Sequence, residues 1–561
     1  MAGTAHTFVI QGPIAREGVA GVHDVSGRRL EPGPEDETLF GSFQRVSAGL
    51  NPEQRALVGL RNGHEWLELS YGALLRDVTT VSENLAALGV GHGDVVCLQL
   101  PNWTEAVIYT YAASRLGAVV CPITTIYRQR ELSYILELTD CHVLVVPSTY
   151  RKFDYASMAA KLRTERPELR HVICVGDAEV PDLIDSRQLL EPVDASEARP
   201  KGADADDIAV LAFTSGTTGE SKGVMHTHRS MHAAIDDFVS HAGFASGLTS
   251  LVMSPFGHLT GFTWGILMPL RGGGDVVLLE AWDAERALDL MERYSVNFTM
   301  GATPFLTDLL EAAQKRSTAA FPEVFVCAGA PIPPSLIEHA LTRHATRVVS
   351  GWGMSEYPIG TSTTVTDDPA LASSSDGRPA GRAEVVIVDP DLAAVGVGHE
   401  GDLIIRGPGL FKGYYKRPNL DADAFTDDGY LRTGDRARLL DGAGHIRISG
   451  RTKDIIIRGG ENIPVVEIEN LLITHPAIKE IAIVPLQHDR LGETACACVV
   501  TADGHTPISL PDMAEFLRER GVATQFFPEA IRIVEELPRT PSGKIQKFAL
   551  RQLVLEKHQQ A

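Results

Sequence analysis

The residues best placed to do chemistry fall in one stretch of ten, Thr214-Ser215-Gly216-Thr217-Thr218-Gly219-Glu220-Ser221-Lys222-Gly223. Glycines and hydroxyl residues dominate it. In such a loop, backbone N–H groups can approach phosphate oxygens closely, and Lys222 adds a point charge. The spacing is not that of a Walker A loop, because Ser221 stands where the second glycine would have to be. Phosphate binding is the favoured reading of the stretch taken alone, and a polar surface loop is the alternative.

Four further stretches could contribute to the same chemistry. Gly351-Trp352-Gly353-Met354-Ser355-Glu356 follows a strand-like run; its glycines would let a flat ring lie against backbone, and Glu356 is a hard oxygen ligand suited to Mg²⁺. Tyr430-Leu431-Arg432-Thr433-Gly434-Asp435 places a carboxylate after what reads as a tight turn, where it could hold a ribose diol. Residues 449–462 concentrate polar groups where the composition changes, as a linker also would. Pro538-Arg539-Thr540-Pro541-Ser542-Gly543-Lys544 reads as a rigid turn presenting a lysine near the C-terminus. Singly, each is a common turn or tail.

The elements that must position them alternate between strand and helix. Short apolar runs such as Asp94–Leu100, Gly117–Ile123, Val143–Pro147, Val172–Val175 and Ile208–Phe213 read as buried strands. Leu251–Pro255, Val276–Leu279, Phe298–Met300, Val324–Cys327 and Val348–Ser350 continue the series, with helical patterns at Ser70–Leu88, Ala106–Arg115, Ala284–Tyr294 and Pro304–Ala313. This alternation predicts an α/β protein of parallel sheets covered by helices on both faces. After about Asp376, the runs Glu384–Val388, Leu403–Arg406 and His445–Ile448 predict a small antiparallel, barrel-like subdomain. The last hundred or so residues read as a compact α+β unit. The expected division is therefore 1–452 and 453–561. Residues 1 to about 45 lack periodicity and are expected to drape irregularly over the surface. Gly396–Gly401 satisfies G-x-G-x-x-G but leads into a strand pattern at Asp402–Ile405, so it is rejected as a dinucleotide site.

At 561 residues the chain needs more than one core. Its formal charge of -21 argues against nucleic acid or an anionic membrane as partner. Seven cysteines without C-x-x-C spacing read as buried free thiols, and no apolar run approaches a membrane span; a cytoplasmic protein is expected.

Together, and in register, these stretches resemble the adenylate-forming superfamily of acyl-CoA synthetases, peptide-synthetase adenylation domains and luciferases. Arg115–Ala118, Gly413–Pro418 and Pro464–Glu469 support the match, which spans about residues 45–555. Pro101-Asn102-Trp103, Cys327–Pro331 and Arg458–Pro464 are most similar to medium-chain and alicyclic acyl-CoA ligases, cyclohexanecarboxylate–CoA ligase included. The resemblance implies ATP, Mg²⁺ and coenzyme A as reactants and cofactor, and an acyl-adenylate intermediate. It implies that Thr214, Ser215, Gly216, Thr217, Thr218, Gly219 and Lys222 hold pyrophosphate, and that Glu356 with Thr214 holds Mg²⁺. Gly329, Ala330 and Pro331 with Gly351, Trp352, Gly353, Met354 and Ser355 would enclose adenine, and Asp435 and Arg451 the ribose. Lys544 would bridge the substrate carboxylate and the α-phosphate. A mobile C-terminal domain would turn about Lys453 and bring Gly459, Gly460 and Glu461 to the thiol. Two positions depart from common relatives: Ser355 replaces Thr, keeping the hydroxyl, and Lys453 replaces Asp at the hinge.

Within Pro255–Phe262, His258 and Gly261 would lie beside the acyl group, although a buried structural histidine is the other reading. No Asp occurs there to hold an α-ammonium, which favours an apolar carboxylic acid of medium-chain, alicyclic or aromatic type. Transfer to a carrier protein in trans, and a non-catalytic nucleotide sensor, are the rival readings. A homodimer stays open.

Overall fold

The computed structural model describes residues 10–11, 33–34, 36–177, 180–193, 202–214, 221–244, 247–316, 320–329, 332–451, 456–458, 461–463, 465–488, 492–520, 522, 524–540 and 543–558. Among these residues the strands form two large sheets, a five-stranded antiparallel sheet, a C-terminal sheet and one small hairpin.

The first large sheet has eight strands. At its centre Val143–Pro147, Val95–Leu98, Val119–Pro122 and Ile208–Thr214 run parallel; the first three are buried throughout and the last along Ala209–Ala212, as strands covered on both faces must be. The second has nine, with parallel pairing from Arg347–Met354 through Val324–Ala328, Phe298–Gly301, Thr249–Val252 and Asp275–Leu278 to Arg55–Arg61. One continuous core joins the two sheets through the helices Tyr71–Ala87, Thr104–Arg115 and His228–Ala242, while a second lies under Ala284–Tyr294 and Thr303–Ala313.

The predicted parallel interior is present, but at three places toward the sheet margins the chain returns antiparallel, whereas the edge strand Ile184–Asp185 stays parallel to His171–Val175. Lys222–Thr227 returns along Ile208–Thr214, Tyr357–Ser362 along Arg347–Met354, and Glu65–Ser70 along Arg55–Arg61. Edges can face solvent on one side and need no crossover helix, so short returns suffice there. The described residues among the first 45 include regular structure that their composition did not suggest. Thr38 caps a helix over Leu39–Gly49 by accepting the Gly41 amide, and Phe40 and Phe43 are buried against the main core. Ile10–Gln11 adds an edge strand to Glu384–Val388.

The sheet Glu384–Val388, Glu400–Arg406, Leu431–Leu439, Ile446–Arg451 is antiparallel, as its alternation implied. Gly401 lies inside one of its strands, which agrees with rejecting a dinucleotide loop there. The C-terminal unit packs the helices Val465–Leu472 and Leu510–Glu519 on the long hairpin Ile478–His488/Gly492–Thr501. All seven cysteines are buried and unpaired. No helix among the described residues is long and apolar enough to cross a membrane.

Candidate active site

The strand pair Ile208–Thr214/Lys222–Thr227 sets the two ends of the glycine loop opposite one another, with Thr214 and Lys222 as cross-strand partners. Ser215, Gly216, Thr217, Thr218 and Gly219 lie outside the described residues. Gly413–Tyr414 pairs on the outer edge of the same strand, Tyr414 opposite Val224. Lys222 Nζ sits 4.9 Å from the centre of the Tyr414 ring, within cation–π range.

Glu356 enters from the second sheet. Met354 pairs with Tyr357, so Ser355 and Glu356 are the two residues of a hairpin turn rather than the start of a loop beyond a strand. The strand itself runs through Gly351–Met354, one turn further than the sequence pattern suggested; Gly353 permits this because an added Cβ would collide with the Pro358 carbonyl. Neither turn residue has the positive φ that two-residue hairpins favour, and the turn is held from outside. The Phe411 amide donates to the Glu356 carbonyl at 2.9 Å, and His226 Nε2 donates to the Ser355 carbonyl at 2.7 Å. Burial lowers the His226 pKa to about 4, so the ring is neutral and a stable donor. The Glu356 side chain is 8% exposed. It accepts Tyr414 Oη at 2.8 Å on Oε1, and no ion pair to it exists among the described residues. Burial first, then the Glu356 charge, raises the Tyr414 pKa, which keeps the phenol protonated as the donor.

A second carboxylate is held as firmly. Asp435 is 4% exposed and accepts Trp352 Nε1 at 2.9 Å and Arg451 Nε at 3.0 Å. It does not follow a turn: Leu431–Leu439 is one strand, irregular in register near Thr433, and Gly434 takes φ 73° there. Thr433 Oγ1 accepts the Asp435 amide and donates to the Leu403 carbonyl, fixing the irregularity. A carboxylate has about four acceptor directions, so two remain for a ligand. Gly329 directly follows Ala328, the partner of Gly351, and a side chain there would meet open space. Gly329 and Trp352 thus mark the carboxyl ends of adjacent parallel strands, where open α/β sheets bind ligands. Ala330 and Pro331 lie outside the described residues.

The His258 loop bridges the two sheets. Asn102, just past Val95–Leu98 of the first sheet, donates to the carbonyls of Val252, Ser254 and Leu279 and accepts the Phe256 amide at 2.7 Å. Gly257 backs onto Ile123 and Thr124, and Gly261 onto the Ser254 and Pro255 carbonyls, both too close for a Cβ. A wide-turned helix, Thr260–Leu267, follows. His258 is solvent-exposed, yet it stands among dense protein. That surrounding mass, and secondarily the Lys544 ammonium, lower its pKa to about 4. Water at the open face softens the shift; the ring is neutral at pH 7 in either case. Nδ1 accepts the Thr260 amide, which puts the ring proton on Nε2.

The turn that carries Lys544 comes from the C-terminal unit, and its charge acts on His258. Gly543, at φ 85°, has its α-carbon against Ala302 and Phe305 at the carboxyl end of Phe298–Gly301. Lys453, Gly459 and Gly460 lie outside the described residues; Glu461 pairs through its backbone with Arg458. The sequence reading brought Glu356, Lys222, Asp435, Arg451, His258 and Lys544 forward, but not the residues that hold them. Tyr414 stood only in a supporting motif, and His226 carried no signal beyond its place beside the glycine loop.

The family model for AMP-binding enzymes matches residues 44–415, and that for the AMP-binding enzyme C-terminal domain matches 467–544. The chain is 32% identical to the medium-chain fatty-acid–CoA ligase of Escherichia coli K12, covering 93% of this chain and 91% of that protein. It is 34% identical to the 2-hydroxy-7-methoxy-5-methyl-1-naphthoate–CoA ligase of Streptomyces carzinostaticus, covering 94% and 95%. ATP-bound MatB from Rhodopseudomonas palustris superposes with a TM-score of 0.78 at 27% identity, over 92% of this chain and 99% of that one. The chain belongs to the AMP-binding enzymes, the adenylate-forming family of acyl- and aryl-CoA ligases, and is an enzyme of the AMP-forming acid–thiol ligase class.

Proposed function

We propose that this enzyme activates an apolar carboxylic acid, of medium-chain, alicyclic or aromatic type, in two steps. A carboxylate oxygen attacks the α-phosphorus of ATP, the bond from that phosphorus to the bridging oxygen breaks, and pyrophosphate leaves. The thiolate of coenzyme A then attacks the acyl carbonyl carbon of the adenylate, and AMP leaves with the electron pair of the acyl–oxygen bond.

The observation that carries this reading is the seating of the Gly543–Lys544 turn against Ala302 and Phe305, at the carboxyl end of Phe298–Gly301 in the sheet that also carries Glu356. Two anions must come together in the first step, so a cation is needed where their charge concentrates. Lys544 would lie between carboxylate and α-phosphate, and Lys222, beside Thr214 at the neck of the glycine loop, would face the leaving pyrophosphate. Asp435 would accept the ribose hydroxyls, pre-oriented by Trp352 and Arg451. The neutral His258 ring would border the acyl group without adding a competing charge.

The donor set fits a Mg²⁺ that travels with ATP. Glu356 offers one buried carboxylate oxygen not taken by Tyr414, Thr214 a hydroxyl, and no cluster of three or more His, Cys, Asp or Glu suited to a metal exists among the described residues. Mg²⁺ commonly takes only one or two protein ligands beside phosphate and water, and when bound supplies charge neutralisation on the phosphates.

Residues 453–561 would form the mobile domain and 1–452 the ATP- and acid-binding domain. Turning near Lys453 would withdraw Lys544 after adenylation and bring Gly459, Gly460 and Glu461 to the thiol path.

The test is pyrophosphate release from MgATP with octanoate, cyclohexanecarboxylate or benzoate, with and without coenzyme A, on wild type and Lys544→Ala. Acid-dependent release that falls by about 10²–10³ in Lys544→Ala, with thioester formed when coenzyme A is present, is expected. Adenylate without thioester would point to a carrier-protein acceptor, and no acid-dependent release would refute this substrate class.

A further inference from the structure

The turn that presents Lys544 is short, and most of its hydrogen bonds return to Thr540. The Thr540 amide donates to the Lys544 carbonyl at 2.8 Å, the Gly543 amide to the Thr540 carbonyl at 2.8 Å, and the Lys544 amide to Thr540 Oγ1 at 3.1 Å. Arg539 and Ile545 pair across its base. These bonds shape the turn but do not tie its tip to the domain that carries it.

Arg539 supplies that tie. Its Nη1 donates to the Gly543 carbonyl at 2.7 Å, and its Nη2 lies 3.0 Å from Oε2 of Glu480. Glu480 sits on the long strand Ile478–His488, opposite Val500 in the C-terminal hairpin. One planar guanidinium thus spans from the peptide directly before Lys544 to a strand that is paired along nearly its whole length with Gly492–Thr501 at the centre of its domain's sheet. The two partners leave from different nitrogens of a rigid fork, a geometry that an ammonium cannot reproduce. The Gly543 carbonyl is the sensitive point. That residue has positive φ and its α-carbon rests on Ala302, so rotation of this peptide changes both the seat of the turn and the direction in which the lysine stem leaves it.

We propose that Arg539, braced by Glu480, is a positioning residue for Lys544 and is required for the adenylation step but not for thioester formation. This rests on the two-step reading above. Arg539 and Glu480 belong to the same domain, so their pair travels with it and persists when Lys544 is withdrawn. Its loss is felt only while Lys544 must meet the reacting oxygens, where a misplacement of about 1 Å costs on the order of 10²-fold.

The test uses the full-length chain and separates the half-reactions. Acid-dependent pyrophosphate release measures the first; thioester formation from supplied octanoyl-adenylate and coenzyme A measures the second. Arg539→Ala is expected to slow the first by about 10- to 10²-fold and to leave the second within about threefold of wild type. Arg539→Lys should fall between, since it can satisfy one partner but not both. Glu480→Ala should slow adenylation in the same sense, Glu480→Gln less because it keeps an acceptor, and the Arg539→Ala/Glu480→Ala double variant no more than the worse single one. Equal losses in both half-reactions would mean a structural role only and overturn the proposal, as would wild-type adenylation in Arg539→Ala. Absence of adenylation in wild type would instead remove the reading on which it rests.

Discussion

Replacing Tyr414 by phenylalanine removes one hydroxyl and leaves the ring under Lys222 in place. The lost bond is a phenol donating at 2.8 Å to a carboxylate that is 8% exposed. Hydrogen bonds to charged groups are worth about 1.5–3 kcal/mol, and cleft water can recover part of that. With water recovering a little of the lower value, a loss of about 1.4 kcal/mol lowers the ratio of oriented to unoriented Glu356 about tenfold. The apparent affinity for a ligand that needs that orientation falls with the oriented fraction, by at most about tenfold. Acid-dependent pyrophosphate release at fixed ATP, with Mg²⁺ varied, should therefore need more Mg²⁺ in Tyr414→Phe, by up to about tenfold. The maximal rate should change less than that. A double-mutant cycle with Glu356→Gln isolates the pair: the hydroxyl should matter much less once its acceptor is neutral, giving a coupling of about 1 kcal/mol. Tyr414→Leu, which also removes the ring 4.9 Å from Lys222 Nζ, should be worse than Tyr414→Phe. An unchanged Mg²⁺ requirement in Tyr414→Phe, or an additive cycle, would refute the claim that this bond sets Glu356.

Two further outcomes follow from buried polar groups. Asn102→Ala deletes three well-formed hydrogen bonds, to Ser254, Leu279 and Phe256, at about 1 kcal/mol each; across the roughly 450 residues of the proposed large domain at about 2.1 cal/mol/K each, that lowers Tm by about 3 °C, and a shift under about 1 °C would contradict it. Burial lowers the pKa of both His226 and His228 from 6.5 to about 4, so their stabilising effect is complete above pH 6.5. It is lost as pH falls from 6.5 toward 4, because the unfolded chain takes up protons that the folded one refuses, at up to about 1.4 kcal/mol per pH unit per ring. A Tm that declines below pH 6.5, less steeply in His226→Gln, is expected; a flat profile between pH 6.5 and 5 would refute it.

Much of this site was legible because its chemistry is local in sequence. The strand before the glycine loop, the lysine after it, and the Gly-Lys turn near the C-terminus each declare themselves by composition. Asp435 was found for the right residue type but in the wrong local structure: Thr-Gly-Asp reads as a turn, whereas Thr433 bonds to Leu403 on the neighbouring strand and holds the segment in the sheet. That bond is long-range, and no window around residue 433 contains it. The extent of Gly351–Met354 rests instead on a short-range pairing, the close approach of Gly353 to Pro358 on the strand that returns immediately after the turn. Tyr414 was passed over because a tyrosine in Gly-Tyr-Tyr is ordinary until Lys222 and Glu356, from two other elements, are brought to its ring and its hydroxyl. The helix at Leu39 carried a cap and a Phe-x-x-Phe pattern that could have been read, but the Gly- and Pro-rich residues before it obscured its start.

On the proposed two-step reaction, the placement of charge would tie the fold to the order of the steps. Lys222 belongs to a strand of the first sheet, Glu356 to a hairpin of the second, Asp435 to the antiparallel sheet and Lys544 to the C-terminal unit. Three of these are fixed by sheet pairing or by buried hydrogen bonds to one another's neighbours. Lys544 alone depends on how the C-terminal unit is seated, through a glycine resting on Ala302 and Phe305. Removing it takes one positive charge from the cleft while Glu356 and Asp435 remain. A cleft so depleted is poorer at bringing a second anion to a phosphate, and better suited to a thiol approaching a carbonyl already activated by AMP. Domain position would then act as the switch of electrostatic character between the steps, with no change required in the residues of the large domain. A Lys544→Gln variant, neutral wherever the domain sits, should consequently lose adenylation by about 10²-fold or more and still convert supplied octanoyl-adenylate to its thioester at a rate near wild type; a matching loss in both steps would show that the lysine's charge serves the two alike.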